Sequence, residues 1–546
     1  MEKRIKNLLT YERPAQYAGG EMFSIKKPWE ATALKVLLVG PSVYQMGASS
    51  LGLSILYHII NSRPDSLCER AFMSEPDMRD AIFSGKEKFL SLESGRAPRD
   101  FNIIGITLPA KGCFFDLPAL FSLMAIPVSG RDESYPVMIS GGPGVSNFIP
   151  VEGFFDAFIV GDGEEAMGKM LDAALGCNTR RGGRSATGRD SLMRALSDIE
   201  GVFVPGISKS VKKTFCSLRE EYYPLKPVIP NIRTLQDRLD IEVMRGCPNN
   251  CRFCEAKRFY APVRVRPPDE LKKIIFDSLK NTGWKGLSLS SLSTPQYPHI
   301  SEVVESIIPY LQKNGISLQI PSLRPERKSV DCVMKILPLN QVNLTFAPET
   351  FSPRMQEIIG KNTPIDEFEE MMREIKTAGF RDVKIYLMIG LPGERDADID
   401  ENIKAVKRIR KAGLKVTLTL SPFVPAAHTP FERVSLWDPC EMDEKLKRIK
   451  MELRGVDVRH PSSEDAVVES ALGRGDARLG KILLNMPALF PESSSAKMKI
   501  LRDAGLDAAR YAGRDFSGGE LPWEKIKIAD RSGLEKDFEQ VRALIG

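Results

Sequence analysis

Residues 238–254 read Arg-Leu-Asp-Ile-Glu-Val-Met-Arg-Gly-Cys-Pro-Asn-Asn-Cys-Arg-Phe-Cys, and this stretch decides the fold of the second half of the chain. Its first seven residues alternate between apolar and polar side chains, which predicts a short strand. Gly246 and Pro248 then end the strand, so the cysteines lie on a loop that leaves a strand end. Because α/β barrels place their reactive groups on loops at the carboxyl ends of parallel strands, the stretch predicts a barrel with a reactive cysteine loop.

The loop carries Cys247, Cys251 and Cys254 in a C-x3-C-x2-C spacing. A 4Fe–4S cluster takes one protein ligand for each iron. Three thiolates therefore hold three irons and leave the fourth open to chelate a small molecule and do chemistry on it. The spacing favours an iron–sulfur cluster that these three residues ligate.

A structural zinc site is the main alternative, but such a site normally closes with a fourth ligand. The nearest other cysteines, Cys216 and Cys332, are isolated, and no histidine lies within forty residues on either side of the triplet. Disulfides are disfavoured, because nine scattered cysteines in 546 residues without a signal peptide are typical of a reducing cytosol. We therefore expect a cytoplasmic protein.

The composition of the chain is that of an ordinary globular protein. Its 546 residues suffice for three or four domains, and its 42% hydrophobic and 27% charged content is average. No apolar run approaches the roughly eighteen residues that a membrane span needs. A net charge of +6 is too weak to indicate nucleic-acid binding, and the densest basic stretch, residues 179–184, predicts a surface loop. We expect neither a membrane nor a nucleic-acid partner.

Four short β-rich runs lie in the first third of the chain, and helical patterns fill several of the gaps between them. The first run, residues 34–40, leads through a loop into a helical pattern at 51–60. Alternating strands and helices of this kind predict the α/β class with an open, doubly wound, Rossmann-like parallel sheet. The other three runs lie at residues 101–107, 137–140 and 157–160.

A second alternating series starts at the cysteine-bearing strand. Five further β-like runs bring the count to six β/α units, fewer than the eight of a closed barrel, which predicts a partial (β/α)6 barrel. These runs lie at residues 286–289, 317–320, 341–346, 383–389 and 416–420. The predicted organisation is an N-terminal extension over 1–30, a Rossmann-like domain over 31–176, a linker over 177–236, the barrel over 237–450 and a mainly helical region over 451–546.

A strand followed by a three-cysteine loop resembles the radical S-adenosylmethionine (SAM) enzymes, which use a six-unit partial barrel. The resemblance implies that SAM chelates the fourth iron and that its reductive cleavage gives a 5′-deoxyadenosyl radical. It also places Phe253 near the adenine of SAM. Four further contacts to SAM are implied by position: Ser290 and Ser291, where many members carry Gly-Gly-Glu; Arg324, which can pair with the carboxylate; Glu349, for the ribose or amino group; and Gly390, beside the adenine.

The loop after the first strand, residues 40–47, reads Gly-Pro-Ser-Val-Tyr-Gln-Met-Gly and lacks the three glycines of a dinucleotide fingerprint. It resembles the D-x-H-x-x-G loop of cobalamin-binding domains, with Gly47 at the glycine and Tyr44 at the histidine that ligates cobalt. The resemblance implies a cobalamin held by this loop and by two others, which contain Thr107 and Ser140-Gly141-Gly142. Because a phenol has an ordinary pKa of about 10, Tyr44 would ligate cobalt weakly or only block its lower face. We expect the cysteine triplet to face Tyr44 across one shared cavity.

Several other segments, among them residues 17–21, 473–476 and 521–523, look like one subfamily of cobalamin-binding radical SAM proteins. The chain looks most like the methanogen enzymes that C-methylate residues of methyl-coenzyme M reductase, and the glutamine Cα-methyltransferase is the preferred member. This resemblance implies methyl transfer from methylcobalamin to an unactivated sp3 carbon of a protein or peptide. It also implies an electron donor such as flavodoxin or ferredoxin.

Three other functions remain open from the sequence. The first is a cobalamin-assisted radical rearrangement or cyclisation of a small molecule, without methyl transfer. The second is RNA modification of the methylthiotransferase kind, although such enzymes normally carry a second cluster and the other six cysteines are isolated. The third is a non-enzymatic carrier of a metal or cofactor.

Overall fold

The structure is a computed structural model that describes residues 7–177, 186–321, 323–339, 344–516 and 518–545. The predicted basic loop at 179–184 and the start of the predicted strand at 341–346 lie outside these residues. The chain forms two α/β halves and a further helical region. The strands of the first half are β1 (Leu34–Val43), β2 (Ser66–Met73), β3 (Ile103–Thr107), β4 (Val137–Gly141), β5 (Ala157–Ile159), β6 (Val202–Phe203) and β7 (Val211–Lys212). Its helices are Tyr44–Gly47, Leu51–Ser62, Pro76–Phe83, Leu117–Leu123, Glu164–Gly176 and Ala186–Ser197.

The first sheet has the order β2-β1-β3-β4-β5-β6, and all of its pairs are parallel except β5 with β6. The chain therefore reverses direction across the sheet between β1 and β3. Doubly wound sheets bind ligands in the crevice at such a reversal, beyond the carboxyl ends of the strands. The prediction of a doubly wound sheet is confirmed, and β6 extends this sheet into the predicted linker.

The edge strand of this sheet, β2, is not predicted from the sequence. All eight residues of Ser66–Met73 are buried, including the charged Glu69 and Arg70. Arg70 forms buried ion pairs with Glu93, at 2.8 Å, and with Glu21 of the N-terminal segment. A strand that buries charges in this way has neither the alternation nor the apolar run that normally reveals a strand.

The second half is the predicted partial barrel, with six parallel strands that each precede a helix or a loop. The strands are β8 (Leu239–Glu242), β9 (Met244–Arg245), β10 (Arg264–Val265), β11 (Gly286–Ser290), β12 (Ser317–Gln319), β13 (Thr345–Glu349), β14 (Asp382–Ile389), β15 (Lys415–Pro422) and β16 (Asp457–Arg459). Two sheets of order β12-β11-β8 and β13-β14-β15-β16 are joined by a parallel bridge between Leu323 and Phe346. In these sheets β16 is a seventh parallel strand beyond the predicted six, and β9 and β10 form a separate antiparallel pair. The helices are Glu255–Phe259, Pro268–Thr282, Ile300–Asn314, Arg327–Ile336, Pro353–Ile359, Ile365–Thr377, Asp396–Lys411 and Pro439–Glu452.

The region after residue 451 is mainly helical, as predicted, but it also adds a strand to each half. In addition to β16, the strand β17 (Ile526–Lys527) pairs in parallel with β7. The last helix, Arg531–Ile545, lies against the cysteine loop, where Arg252 donates to Gln540 at 3.2 Å. The other helices are Ser463–Gly473, Ala477–Asn485, Ser494–Asp503 and Ala508–Ala512. Within the described ranges, none of the helices combines the length and the apolar character that crossing a membrane requires.

Candidate active site at the junction of the two halves

The cysteine loop leaves the barrel after β9, and all three of its cysteines are free thiols. Gly246 starts the loop with a φ of +89°, and a Cβ there would lie 2.8 Å from the carbonyl oxygen of Pro262, so the turn requires glycine. Each sulfur accepts a hydrogen bond from at least one N–H group, which suits thiolates that carry negative charge. The donors are Asn249 Nδ2 to Cys247 at 3.2 Å, Arg324 to Cys251 at 3.6 Å and the backbone of Lys257 to Cys254 at 3.4 Å.

The three thiols affect one another electrostatically. Burial raises the pKa of Cys254, and the neighbouring thiols of Cys251 and Cys247 raise that pKa further. Ionising Cys254 beside the other two sulfurs is therefore unfavourable unless a cation compensates the charge. The donor set, three thiols on one loop with an N–H group at each sulfur, fits a 4Fe–4S cluster.

Of the residues predicted to contact SAM, Arg324 is beside the cysteines, and its guanidinium also lies 3.7 Å from Glu326. Phe253 packs against a hydrophobic cluster that includes Leu391. Leu391 follows Gly390, which has a φ of +79° and donates its backbone N–H to Glu394 at 2.7 Å. Phe253 and the turn at Gly390 therefore border the same hydrophobic cluster at the mouth of the barrel.

The other predicted SAM contacts lie at strand ends and have protein partners. Ser290 donates to Asp240 at 3.0 Å, and the Ser291 hydroxyl lies 3.2 Å from that of Thr294. Glu349 ends β13 with a φ of +67° and pairs with Lys361 at 2.9 Å. An unbranched acid in the left-handed region is uncommon, so the backbone at this strand end is held in an unusual conformation.

A cavity of about 460 Å³ lies beyond the carboxyl ends of β1, β3, β4 and β5. It occupies the crevice where the sheet reverses its order, the position expected for a ligand. Thr107, Ser140, Gly141 and Gly142 line it, where the sequence analysis predicted a cofactor. The opposite wall comes from the barrel half and consists of Glu242, Arg245, Phe259 and Tyr260.

The two glycines of this cavity have different roles. Gly142 has a φ of +97°, and a Cβ there would lie 2.9 Å from the carbonyl oxygen of Leu108, so the backbone itself requires glycine. A Cβ at Gly141 would approach nothing closer than Ile159 at 3.6 Å. Its missing side chain therefore leaves space in the cavity rather than relieving a clash within the protein.

Tyr44, predicted to ligate cobalt weakly or to block its lower face, does not line this cavity. Tyr44 is 2% exposed, and its hydroxyl donates to Glu21 at 2.6 Å and accepts the backbone N–H of Asn231 at 3.0 Å. Burial, together with the Glu21 carboxylate, raises the pKa of Tyr44 well above its usual range. Gly47 also lies outside the cavity lining. It packs against β2, since a Cβ at this position would be 2.4 Å from the Phe72 ring.

Arg245 joins the two halves at the wall of the cavity. Its guanidinium contacts Asp162 at 3.1 Å and Glu164 at 2.8 Å in the first half, and Glu242 at 2.9 Å in its own half. The side chain is 10% exposed. Because Arg245 precedes Cys247 by two residues, the same short segment closes the cavity and begins the cysteine loop.

Asp162, Glu164 and Cys216 offer three ligand atoms within 4.8 Å of one another, a geometry that could hold a metal ion. Arg245 binds both carboxylates, however, and Arg264 binds Asp162 at 2.6 Å. Burial also raises the pKa of Cys216. We therefore assign these carboxylates to the ion-pair network between the halves rather than to a metal.

A second contact between the halves lies directly after the last cysteine of the loop. Glu255 begins the helix Glu255–Phe259, and its carboxylate accepts from Lys111 at 2.5 and 2.7 Å and from Ser146 at 2.5 Å. His428, after β15, lies 2.8 Å from the carbonyl oxygen of Ser146. We call Lys111, Ser146 and Glu255 the interdomain clasp; it fixes the first half against the helix that follows Cys254.

Several of these residues were missed by the sequence analysis. Arg245 and Asn249 lie inside the quoted cysteine run, so their position beside the triplet was the available signal. Glu255 follows the run directly. Lys111 gave no signal, because a single lysine after a strand is ordinary and its partner lies 144 residues away.

Family models match segments in both halves of the chain. Residues 241–406 match the family model described as Radical SAM superfamily, and residues 52–205 match the model described as Radical SAM proteins, N-terminal. A radical SAM domain implies a 4Fe–4S cluster and SAM. An uncharacterized protein of Methanocaldococcus jannaschii is 29% identical over 399 residues, which are 72% of this chain and 82% of that protein.

Other proteins are similar to this chain at lower sequence identity. The ribosomal protein uS12 methylthiotransferase RimO of Thermotoga petrophila is 23% identical over 180 residues, 31% of this chain and 41% of that protein. The radical SAM methyltransferase TsrM of Kitasatospora setae, solved with tryptophan and a SAM analogue, has a TM-score of 0.50 at 12% identity and covers 73% of this chain and 74% of its own. The cobalamin-dependent radical enzyme OxsB, solved with aqua-cobalamin and SAM, has a TM-score of 0.52 at 12% identity and covers 100% and 85%. The chain shares their fold.

Proposed function

We propose that this member of the radical SAM superfamily is a cobalamin-dependent methyltransferase that acts on an unactivated sp3 carbon of a protein residue. One observation carries the proposal. The cavity of the first half and the cysteine loop of the second half share a wall, because Arg245 lines the cavity and lies two residues before Cys247. Two cofactors bound in these places would face a common space.

When bound, the cluster and SAM supply a 5′-deoxyadenosyl radical, and cobalamin supplies a transferable methyl group. Cys247, Cys251 and Cys254 would hold the cluster. Arg324 would turn from the Cys251 sulfur to the carboxylate of SAM, for which its planar guanidinium is a good bidentate partner. The remaining contacts to SAM would come from Phe253, Gly390, Glu349, Ser290 and Ser291.

Thr107, Ser140, Gly141 and Gly142 would bind cobalamin through small side chains and exposed backbone. The space over Gly141 supports this role, since its Cβ would meet nothing within 3.6 Å. OxsB, which shares the fold, binds aqua-cobalamin. Tyr44 has no role in this proposal, because its hydroxyl is hydrogen-bonded within the core.

The proposed substrate is a protein or peptide, and the candidate carbon is the Cα of a glutamine in methyl-coenzyme M reductase. This choice rests on the subfamily segments of the sequence, and the Methanocaldococcus relative is consistent with it. A one-electron donor such as flavodoxin or ferredoxin would be the second partner. Overall, a C–H bond becomes C–CH3, while two SAM molecules and two electrons give 5′-deoxyadenosine, methionine and S-adenosylhomocysteine, and the substrate hydrogen ends in 5′-deoxyadenosine.

The test uses the full chain with reconstituted cluster and added cobalamin, together with SAM, a reductant and glutamine-containing peptides of methyl-coenzyme M reductase. We expect 5′-deoxyadenosine and S-adenosylhomocysteine in equal amounts, with a peptide heavier by one methylene group. Comparing the host proteome with and without the gene tests the substrate independently. Deoxyadenosine without any methylated peptide or protein would refute methyl transfer to a protein.

A radical rearrangement without methyl transfer is the second candidate, because OxsB, which shares the fold, is named as a cobalamin-dependent radical enzyme and not as a methyltransferase. It predicts deoxyadenosine without S-adenosylhomocysteine. Modification by methylthiolation, suggested by the RimO similarity, is less well supported. The other six cysteines lie in separate elements, and a count near four irons per chain would argue against a second cluster.

A further inference from the structure

The amide side chain of Asn249 is held in one orientation beside the cysteine triplet. One of its N–H groups points to the Cys247 sulfur at 3.2 Å, and its Nδ2 also donates to Gln296 Oε1 at 2.5 Å. Gln296 returns a hydrogen bond from Nε2 to Asn249 Oδ1 at 3.1 Å. Both donors and the acceptor of the Asn249 amide are thus used, and the pair of amides is reciprocal.

Glu326, which contacts Gln296, fixes the orientation of this pair of amides. Gln296 Nε2 also lies 3.4 Å from Glu326 Oε2, and an ionised carboxylate can only accept hydrogen bonds. If both amides flipped together, Gln296 would turn its carbonyl oxygen to Glu326 and Asn249 would turn its own oxygen to the Cys247 sulfur. Both changes are repulsive, so the carboxylate of Glu326 selects the orientation that points an N–H group at the sulfur.

The geometry points to Asn249 as a residue that sets the reduction potential of the cluster, with Gln296 as its positioning residue. Hydrogen bonds to the sulfurs are among the features that tune iron–sulfur potentials. An N–H donor stabilises the more negative, reduced cluster and so raises its potential. This inference rests on the radical SAM assignment but is independent of methyl transfer.

Asn249 differs in this respect from the other side-chain donor of the triplet. Arg324 donates to Cys251 at 3.6 Å, but in the proposed function it turns toward SAM. Asn249 has no such second partner, since Gln296 and the sulfur satisfy it completely. Its hydrogen bond therefore persists with and without SAM and sets the potential in both states.

The experiment compares Asn249→Leu with Asn250→Leu in the full, cluster-reconstituted chain without SAM or cobalamin. Leucine is similar in size to asparagine, carries no charge and removes the donor. Asn250 is the matched control, because it lies next to Asn249 and contacts Lys257 rather than a sulfur. The midpoint potential is measured by a redox titration followed by EPR, after iron counting shows equal cluster content. We expect a clearly more negative potential for Asn249→Leu and a negligible shift for Asn250→Leu.

Gln296→Leu keeps Asn249 as the donor to the Cys247 sulfur but leaves the Asn249 amide free to rotate. Position 296 also lies outside the cysteine loop. We expect a smaller shift in the same direction, and no further shift when Gln296→Leu is added to Asn249→Leu, because Gln296 acts through Asn249. If Asn249→Leu loses its cluster, Gln296→Leu alone carries the test. Equal shifts for positions 249 and 250, additive shifts for 249 and 296, or an unchanged potential in Gln296→Leu would each overturn the inference. None of these outcomes depends on whether the enzyme transfers a methyl group.

Discussion

The cysteine loop and the cavity of the first half are built in opposite ways. The loop places chemically distinctive side chains at one point, and each of its three sulfurs has its own N–H donor. The cavity is lined mainly by strand ends, glycines and small or apolar side chains, and its charged lining residues come from both halves, Asp162 and Glu164 from the first and Glu242 and Arg245 from the second. The loop functions through the chemistry of its side chains, whereas the cavity functions through the space that its small side chains leave free.

This difference explains why the two regions differ in how well they can be recognised. A spacing of three cysteines identifies ligands directly. A cavity made of backbone and small residues has no equivalent motif in the sequence. The two regions should also fail differently when they are mutated.

The largest effect is expected from removing a ligand in the loop. Cys251→Ala leaves two thiols for four irons, so we expect loss of the cluster and no detectable 5′-deoxyadenosine. Iron and sulfide analysis together with product chromatography measure this. Cys332→Ala, which changes an isolated buried cysteine, is the control and should keep the cluster. A variant at position 251 that still cleaves SAM would mean that the loop is not the cluster site.

The next effect is expected from filling the cavity. Gly141→Val places a branched side chain where only Ile159 lies nearby, at 3.6 Å, so the fold should tolerate it while the cavity loses volume. We expect cobalamin binding to weaken at least tenfold, measured by absorption spectroscopy after gel filtration, and iron content to stay unchanged.

Gly168→Val is the matched control for this change. Gly168 lies in the helix Glu164–Gly176, and a Cβ there meets nothing within 4 Å. Normal cobalamin binding by Gly141→Val would show that the cavity is not the cobalamin site, while loss of binding in both variants would show only a general effect on folding.

A smaller effect is expected at the interdomain clasp, where the two regions meet. Glu255→Gln leaves the Lys111 ammonium, 12% exposed, without its carboxylate, and the unfolding free energy should fall by about 2 kcal/mol. Urea unfolding of the cofactor-free chain measures this. We also expect more 5′-deoxyadenosine for each methyl group transferred, because the two cofactors would be held less firmly together.

Asp269→Asn provides the comparison for the clasp, since it makes the same chemical change in the first turn of another helix, at an exposed residue. Its stability and product ratio should be those of the wild type. An unchanged product ratio in Glu255→Gln would limit the clasp to a role in stability.

The smallest effect on function is expected at Tyr44. Tyr44→Phe removes the hydrogen bond to Glu21 within the core, so the unfolding free energy should fall by roughly 1 kcal/mol. Cobalamin affinity and the EPR spectrum of cob(II)alamin should not change, because the phenol does not line the cavity. A changed cobalt spectrum in this variant would restore Tyr44 as a ligand.

Much of the fold was predictable because local patterns report local structure. The six barrel strands, the doubly wound sheet and the helical region after residue 451 all follow from periodicity and turn residues. The strand β2 was not predictable, since its buried Arg70 is stabilised by Glu21 and Glu93, which lie 49 and 23 residues away. Long-range ion pairs of this kind have no local signature.

The core contacts of Tyr44 were not predictable for the same reason. Its phenol packs edge-on to Phe72 of β2, with ring centroids 5.4 Å apart, and its hydroxyl shares Glu21 with Arg70 of the same strand. Without β2, the sequence shows no partner for this tyrosine in the core. Thr107, Ser140, Gly141 and Gly142 line one cavity, as expected, because strand-end loops in a doubly wound sheet converge on one edge.

The pairing of β17 with β7 has a consequence for the order in which the protein is made. The strand β7 cannot pair with β17 until residue 526 has been synthesised. The helix Arg531–Ile545, which contacts the cysteine loop, is synthesised later still. Ribosomal synthesis therefore delivers both α/β halves well before the segment that fastens them. During that interval the cysteine loop lacks its covering helix, and an assembly machine carrying iron and sulfide would find the loop at its most accessible.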